Sequence, residues 1–277
     1  MNQRDDHPMN KAVILARGLG TRMQEADDSV ALSDKEAAAA AKGIKAMIPI
    51  DGERPFIDYV LSQLADAGYT RVCLVIGPEH DAVREYYDTL APTRVTVEFA
   101  VQHEPLGTAD AVASAEAFAA GGHILVINSD NYYPLEAFQT LRTLETSGLA
   151  AFERSTLIES SNIPPERINK FAVIEIADGA MTRIIEKPTD EQIGALPEPI
   201  CVSMNCWRFG PKIFDACRAI EPSPRGELEI TDAVQHAISQ LGERFAAPTF
   251  RAPVLDLSSR TDIGSVQQAL QNVQVRL

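Results

Sequence analysis

Leu15-Ala16-Arg17-Gly18-Leu19-Gly20-Thr21-Arg22-Met23 follows directly on the apolar run Ala12 to Leu15, and its residue types suit the holding of a phosphate. An apolar strand that ends in a turn with two close glycines presents backbone N–H groups to an anion. Gly18 and Gly20 permit the tight turn and remove Cβ atoms that would hold the anion off. Arg22 adds a positive charge whose fork matches phosphate oxygens. The same two glycines would also serve a purely structural turn. Two familiar phosphate motifs are excluded. The dinucleotide fingerprint needs a third glycine where Met23 stands. The Walker A loop ends in Gly-Lys-Ser/Thr, unlike Thr21-Arg22-Met23.

Two carboxylates stand in unusual places. Asp130, in Asn128-Ser129-Asp130-Asn131, follows an apolar strand and is a candidate metal ligand, with turn or cap formation as its structural alternative. Asp256 interrupts the otherwise apolar Pro253 to Leu257, where a charge is costly unless paired or bound to metal. Gln102 to Asp110 follows another strand and contains Pro105-Leu106-Gly107-Thr108-Ala109. Lys45 lies in the apolar stretch Ile44 to Ile50, where a lysine ordinarily reaches out to water.

These residues need a frame. Apolar strands are predicted over Ala12–Leu15, Arg71–Gly77, Arg94–Val101 and His123–Ile127, and helices over Pro55–Gly68, Glu79–Leu90 and Gly107–Ala120. Such alternation predicts an α/β, Rossmann-like, mostly parallel sheet with helices on both faces. Ligands of these sheets bind beyond the carboxyl ends of the strands, where the glycine loop, the Gln102 segment and Asp130 all fall. Ile44–Ile50 reads as extended, and the alanine run Ala37–Ala41 as a helix closing at Gly43. Beyond Ala150 strand-like runs Phe171–Ala177, Met181–Glu186 and Ile200–Phe209 follow with little helix between them, the first two joined by the turn signal Asp178-Gly179. They read as antiparallel additions covering one end of the sheet. Helices Pro211–Ile220 and Glu229–Leu241, a short strand at Pro253–Leu257 and a helix from Asp262 complete the chain. Residues 1–10 read as a disordered lead-in to a single domain, 11–277, with halves 11–150 and 151–277.

Composition narrows the class. A chain of 277 residues, 45% apolar and 23% charged, buries a sizeable core. A net charge of −14 argues against a general nucleic-acid binder, so a phosphorylated ligand would be met by local cations. No apolar run is long enough to span a membrane, and the polar start lacks a signal-peptide core, so a cytoplasmic location is expected. Cys73, Cys201, Cys206 and Cys217 lack metal-ligand spacing and read as buried thiols.

Together the motifs resemble the sugar-1-phosphate nucleotidyltransferases, the thymidylyl-, uridylyl- and guanylyltransferases that make NDP-sugars. Leu15 to Met23 is similar to the signature loop, Lys45-Ala46-Met47-Ile48-Pro49 to its second half, and Gln102 with Pro105 to Ala109 to the nucleobase segment. Asp130-Asn131 resembles the metal motif, while Glu186-Lys187-Pro188 and Arg225 to Asp232 resemble two further family motifs. The order holds over nearly the whole chain. The resemblance implies a nucleotide-diphospho-sugar transferase fold with the antiparallel half forming the sugar side. It implies an NTP and a sugar 1-phosphate as substrates, without nucleic acid or membrane, and leaves room for a homo-oligomer. Leu15, Ala16, Arg17, Gly18, Leu19, Gly20, Thr21, Gln102, Pro105, Gly107, Thr108 and Asn131 would bind the nucleotide, and Arg22 and Lys45 would be catalytic. Asp130 and Asp256 would hold Mg2+, and Ala172, Glu186, Lys187 and Asn205 the sugar phosphate. Four features depart from the pattern: Arg17 for a small residue, a long insertion over residues 24–42, Ile44 for a proline and Ala172 for a glycine. The insertion is expected to form a flap over the nucleotide. Two alternatives stand beside the enzyme: a non-catalytic sugar-nucleotide-binding paralogue, and a nucleotidyltransferase for a non-sugar phosphate such as a cyclitol phosphate.

Overall fold

A computed structural model of the chain describes residues 9–18 and 45–277. Leu19, Gly20, Thr21, Arg22, the 24–42 insertion and the alanine helix expected within it lie outside the described residues, and Lys45 is described for its backbone alone.

Four strands form the parallel centre: β1 (Lys11–Leu15), β2 (Arg71–Ile76), β3 (Thr96–Val101) and β4 (Ile124–Asn128). Their order is β3-β2-β1-β4, all parallel, with Val13 opposite Cys73 on one side and Val126 on the other. The chain therefore changes direction across β1, which opens a crevice between the carboxyl ends of β1 and β4. Alternation of side chains fills two cores. Val13, Cys73, Val75 and Val126 pack against helices Thr108–Ala113, Lys212–Ala219 and Ile230–Ser239. Ile14, Leu74, Ile76 and Ile127 pack against Phe56–Asp66, Asp81–Leu90, Leu135–Thr143 and Asp262–Leu270 on the other face. Pro55 opens the first of these helices, as its sequence predicts.

Beyond the short β5 (Asn131–Tyr132) come β6 (Ser147–Glu153), β7 (Val173–Ala177), β8 (Ala180–Ile185) and β9 (Cys201–Phe209). Three two-residue strands follow, β10 (Phe245–Ala246), β11 (Thr249–Phe250) and β12 (Leu255–Asp256). The antiparallel half does not cover an end of the sheet. β9 pairs antiparallel with β4, and the sheet continues through it to ten strands, because β4 offers a free edge of unpaired backbone groups. β6, buried along its whole length and paired with β9, is absent from the sequence reading. Its Gly148, Ala150 and Ala151 carry little strand preference, and only burial between neighbouring strands makes it extended. The β7–β8 turn forms at Asp178 and Gly179, both at positive φ, as the dipeptide predicts.

Two further expectations change. Ile44–Ile50 is not extended throughout: Lys45–Met47 forms a 3-10 turn before Pro49 bridges to Pro55. The helix expected over Gly107–Ala120 divides into Thr108–Ala113 and Glu116–Ala119. At the break the Ser114 hydroxyl donates to the Asp110 carbonyl at 3.0 Å, competing with the helical ladder.

Candidate active site

The crevice beside β1 and β4 gathers the metal-type carboxylates. β5 pairs antiparallel with β12, placing Asn131 opposite Asp256, and the Leu257 amide donates to the Asp130 carbonyl oxygen at 2.8 Å. Two segments about half the chain apart are thus stitched at the end of β4. Asp256 is 5% exposed. Its Oδ1 accepts from Asn131 Nδ2 at 3.0 Å and Ser258 Oγ at 2.9 Å, and its Oδ2 from the Arg167 guanidinium. Arg167 also meets Asp262 at 3.3 Å. Asn162 fixes the backbone, donating to the Asp256 carbonyl and accepting its N–H, both at 2.8 Å. Burial, and then the charge of Asp130, push the Asp256 carboxyl up to about 6.

Two crowded carboxylates whose charges oppose one another fit a hard divalent cation such as Mg2+. Among the described residues no three His, Cys, Asp or Glu side chains converge on a metal-sized gap. Phosphate oxygens and water would therefore complete the shell, as is usual for Mg2+. Asn131, expected at the nucleotide, turns its amide to Asp256 and to the Leu255 carbonyl. Arg167 and Asn162 lie in a helix and a loop with no motif of their own, so only the fold reveals them.

On the antiparallel side a cavity of about 120 Å³ is lined by Thr108, Ala172, Glu186 and Asn205, four of the predicted residues, and by Lys170, Ser203, Glu229 and Thr231 among others. β9 shapes it. Between Trp207, opposite Leu149, and Ser203, opposite Ala151, β9 carries extra residues, and Asn205 in this bulge has φ +55°. The Asn205 side-chain oxygen accepts from Trp207 Nε1 at 3.2 Å, and its backbone N–H donates to Ser203 Oγ at 3.2 Å, holding the bulge. The Thr231 hydroxyl is buried with no hydrogen-bond partner among the described residues. Glu186 stands at the cavity mouth, where desolvation and then Glu229 raise its carboxyl above the usual range. Lys187, at φ +46°, is exposed beside it and does not line the cavity.

The Gln102 segment is clamped to the Leu228 segment that lines the antiparallel half. Leu228 N donates to Leu106 O at 2.7 Å, Ala109 N donates to Leu228 O at 2.9 Å, and Ile230 N donates to Thr108 Oγ1 at 2.9 Å. Gly107 has φ +124°, and a Cβ there would lie 2.5 Å from Leu228 O, so only glycine fits. Pro105 and Leu106 stand exposed on the same loop, Leu106 being 43% exposed. Gln102 is buried, with Nε2 donating to Gly107 O at 3.0 Å and Asp110 Oδ2 at 2.8 Å.

At the end of β1, Leu15 and Ala16 are largely covered and Gly18 is exposed. A Cβ at Gly18 would meet none of the described residues within 4 Å, so packing among them does not require the glycine. Arg17 lies against Glu79 at the end of β2, Nε to Oε1 3.4 Å. No helix among the described residues is long and apolar enough to cross a membrane.

A family profile described as nucleotidyl transferase matches residues 11–272. The UTP–glucose-1-phosphate uridylyltransferase AglF of Haloferax volcanii is 28% identical over 262 residues, covering 94% of this chain and 96% of that protein. A glucose-1-phosphate thymidylyltransferase of Streptomyces antibioticus is 31% identical over 229 residues, covering 82% of this chain. The chain spans only 57% of that protein and 56% of a low-salt glycan biosynthesis nucleotidyltransferase of Haloferax volcanii that it also matches. The structure of a UDP-glucose pyrophosphorylase complexed with UDP-glucose superposes with a TM-score of 0.73 over 96% of this chain and 100% of that one, at 19% identity. The fold, the order of the motifs and the matched span agree: the chain belongs to the nucleotidyl transferase family, that of the sugar-1-phosphate nucleotidyltransferases its sequence resembles.

Proposed function

We propose that the protein condenses an NTP with a sugar 1-phosphate to give an NDP-sugar and pyrophosphate. The observation that carries this reading is the polar cavity of Thr108, Glu186, Asn205 and Thr231, joined through the Gly107–Leu228 clamp to the loops at the ends of the parallel strands. Its walls offer donors and acceptors of the kind that sugar hydroxyls use.

The attacking phosphate oxygen is ionised near neutral pH and needs no general base. A bond forms from it to the α-phosphorus, the bond to the bridging oxygen breaks, and pyrophosphate leaves with the electron pair. In-line positioning and relief of anion repulsion are the whole task. Loop amides around Gly18 and Arg22 cradle the triphosphate, and Lys45 meets charge developing at the α-phosphate. Asp130 and Asp256 would hold Mg2+, which when bound would supply charge neutralisation at phosphate oxygens. Arg167 and Ser258 hold the Asp256 carboxylate in one orientation. Lys187 meets the sugar phosphate, and Glu186 and Asn205 the sugar.

The test is a matrix of GTP, UTP, dTTP, ATP and CTP against a panel of sugar 1-phosphates and one cyclitol phosphate, reading pyrophosphate. Release with at least one sugar pair is the expected outcome. Nucleotide binding without release from any pair would favour a regulatory paralogue, and release with the cyclitol phosphate alone a non-sugar substrate.

A further inference from the structure

We propose that Arg17, set by Glu79, reads the nucleobase, and that it selects a base carrying a carbonyl beside a ring N–H (guanine, uracil or thymine) over adenine and cytosine. The inference rests on the nucleotidyltransferase reading and assigns a selecting residue within it.

The position comes from the sheet. The Ala16 amide donates to Val75 O at 2.9 Å, bringing Arg17 over the carboxyl end of β2, and the Gln102 amide donates to Ile76 O at 2.9 Å from the β3 side. Asp130 and Asp256 lie across β1, at the end of β4. A nucleotide whose phosphates meet those carboxylates and the Gly18 backbone would extend its base toward the ends of β2 and β3, where Arg17 pairs with Glu79 and Gln102 follows β3.

The chemistry comes from what each group has left to offer. The Gln102 amide nitrogen has both donors engaged, on Gly107 O and Asp110, leaving Oε1 as the side-chain group it could turn to a ligand. Arg17 is in the opposite state. Its side chain is 8% exposed, its Nε lies 3.4 Å from Glu79 Oε1, and its Nη1 is buried with no hydrogen-bond partner among the described residues. An orphaned buried donor is rare, and an acceptor brought by a ligand would relieve it. Glu79 is 49% exposed and contributes carboxylate acceptors at the same place. A guanidinium donor beside a carboxylate acceptor complements C=O next to N–H. Held in the same orientation by the ribose, adenine and cytosine put an amine where the carbonyl would be and an unprotonated nitrogen where the N–H would be, which sets donor against donor and acceptor against acceptor.

The arrangement is built into the backbone. A Cβ on Gly77 would lie 2.2 Å from Glu79 Oε1, so the glycine is what lets the carboxylate fold back toward Arg17. Buried His80, whose Nδ1 accepts the Gly77 N–H at 3.3 Å, backs the same carboxylate at 3.7 Å.

The experiment measures binding of GTP, UTP, dTTP, ATP and CTP with Mg2+ to the full chain by calorimetry, for wild type, Arg17→Met and Gly77→Ala. Wild type is expected to bind at least one of GTP, UTP and dTTP about tenfold or more tighter than both ATP and CTP. Arg17→Met removes the donors but keeps an apolar stem, and should bring the five affinities within about threefold while leaving ATP and CTP unchanged. Gly77→Ala displaces a flexible side chain and not backbone, so it should fold and show the same loss of selectivity. Equal weakening of all five nucleotides in Arg17→Met, or an intact preference in both variants, overturns the assignment of Arg17. Wild type binding all five alike overturns it too. Failure of wild type to bind any nucleotide brings down the nucleotidyltransferase reading itself.

Discussion

At the scale of single residues the site is governed by where carboxylates are allowed to be charged. Asp256 sits 5% exposed beside Asp130, and one guanidinium, Arg167, serves both Asp256 and Asp262. That ion pair holds the side chain, while burial and Asp130 still push the carboxyl up to about 6. With its folded value above its unfolded one, Asp256 favours the metal-free fold at low pH and costs it stability as pH climbs through about 6. With Asp256 in its proposed metal-holding role, a divalent ion would displace that proton, so its effect would be complete above about 6 and fade below. Thermal-shift titrations with Mg2+ and a bound NTP should therefore show metal affinity falling about tenfold per pH unit below that point. An affinity flat down to pH ~4.5, near the usual carboxylate range, would place the metal elsewhere. Thr231, at the cavity, and Arg17, at the end of β1, each keep a buried polar atom without a hydrogen-bond partner among the described residues.

At the scale of elements, the site depends on irregularities inside regular structure. The β9 bulge turns Asn205 to the cavity, and the break at Ser114 leaves Thr108–Ala113 as a separate short helix behind the Gly107 loop. Gly107 sets how closely its loop meets the Leu228 segment. Its φ of +124° and the 2.5 Å approach to Leu228 O leave no place for a Cβ, and the opposing atoms are backbone that cannot swing away. Gly107→Ala should lower stability by about 2 kcal/mol or more through strain and separation of the clamp, a Tm loss of several degrees. Gly18→Ala supplies the contrast, since its Cβ enters open space. We expect an unchanged Tm with weakened NTP binding, measured by scanning calorimetry and nucleotide titration. A Gly107→Ala protein with wild-type Tm would show that the clamp tolerates opening.

At the scale of the whole molecule, one continuous sheet carries both halves, with a hydrophobic core on each face. Cys73, Cys201, Cys206 and Cys217 are all free and buried, and desolvation raises the thiols of Cys73 and Cys217 to about 12 and Cys201 to about 11. A thiol reagent should titrate none of the four in the native protein and all four in denaturant. Fast native labelling would mean that one face of the sheet opens.

The sequence by itself determined the parallel centre, the faces of its helices, the Asp178-Gly179 hairpin and the candidate site types. Those features are local: strand and helix periods, a turn dipeptide, and the glycines and carboxylates at strand ends. Tertiary structure alone decided the rest. β6 is extended because it is buried against β9, although its alanines and glycine do not ask for it. Arg167 became the partner of Asp256, and Gln102 turned its donors inward, through contacts between residues distant in the chain or clamped in one loop. Arg17 was visible in the sequence as an unusual residue of the expected nucleotide loop; its burial against Glu79, with a donor unpartnered among the described residues, exists only once β1 and β2 lie side by side. Local pattern specifies which groups are present, and packing across the sheet specifies which hydrogen bonds they still have to give.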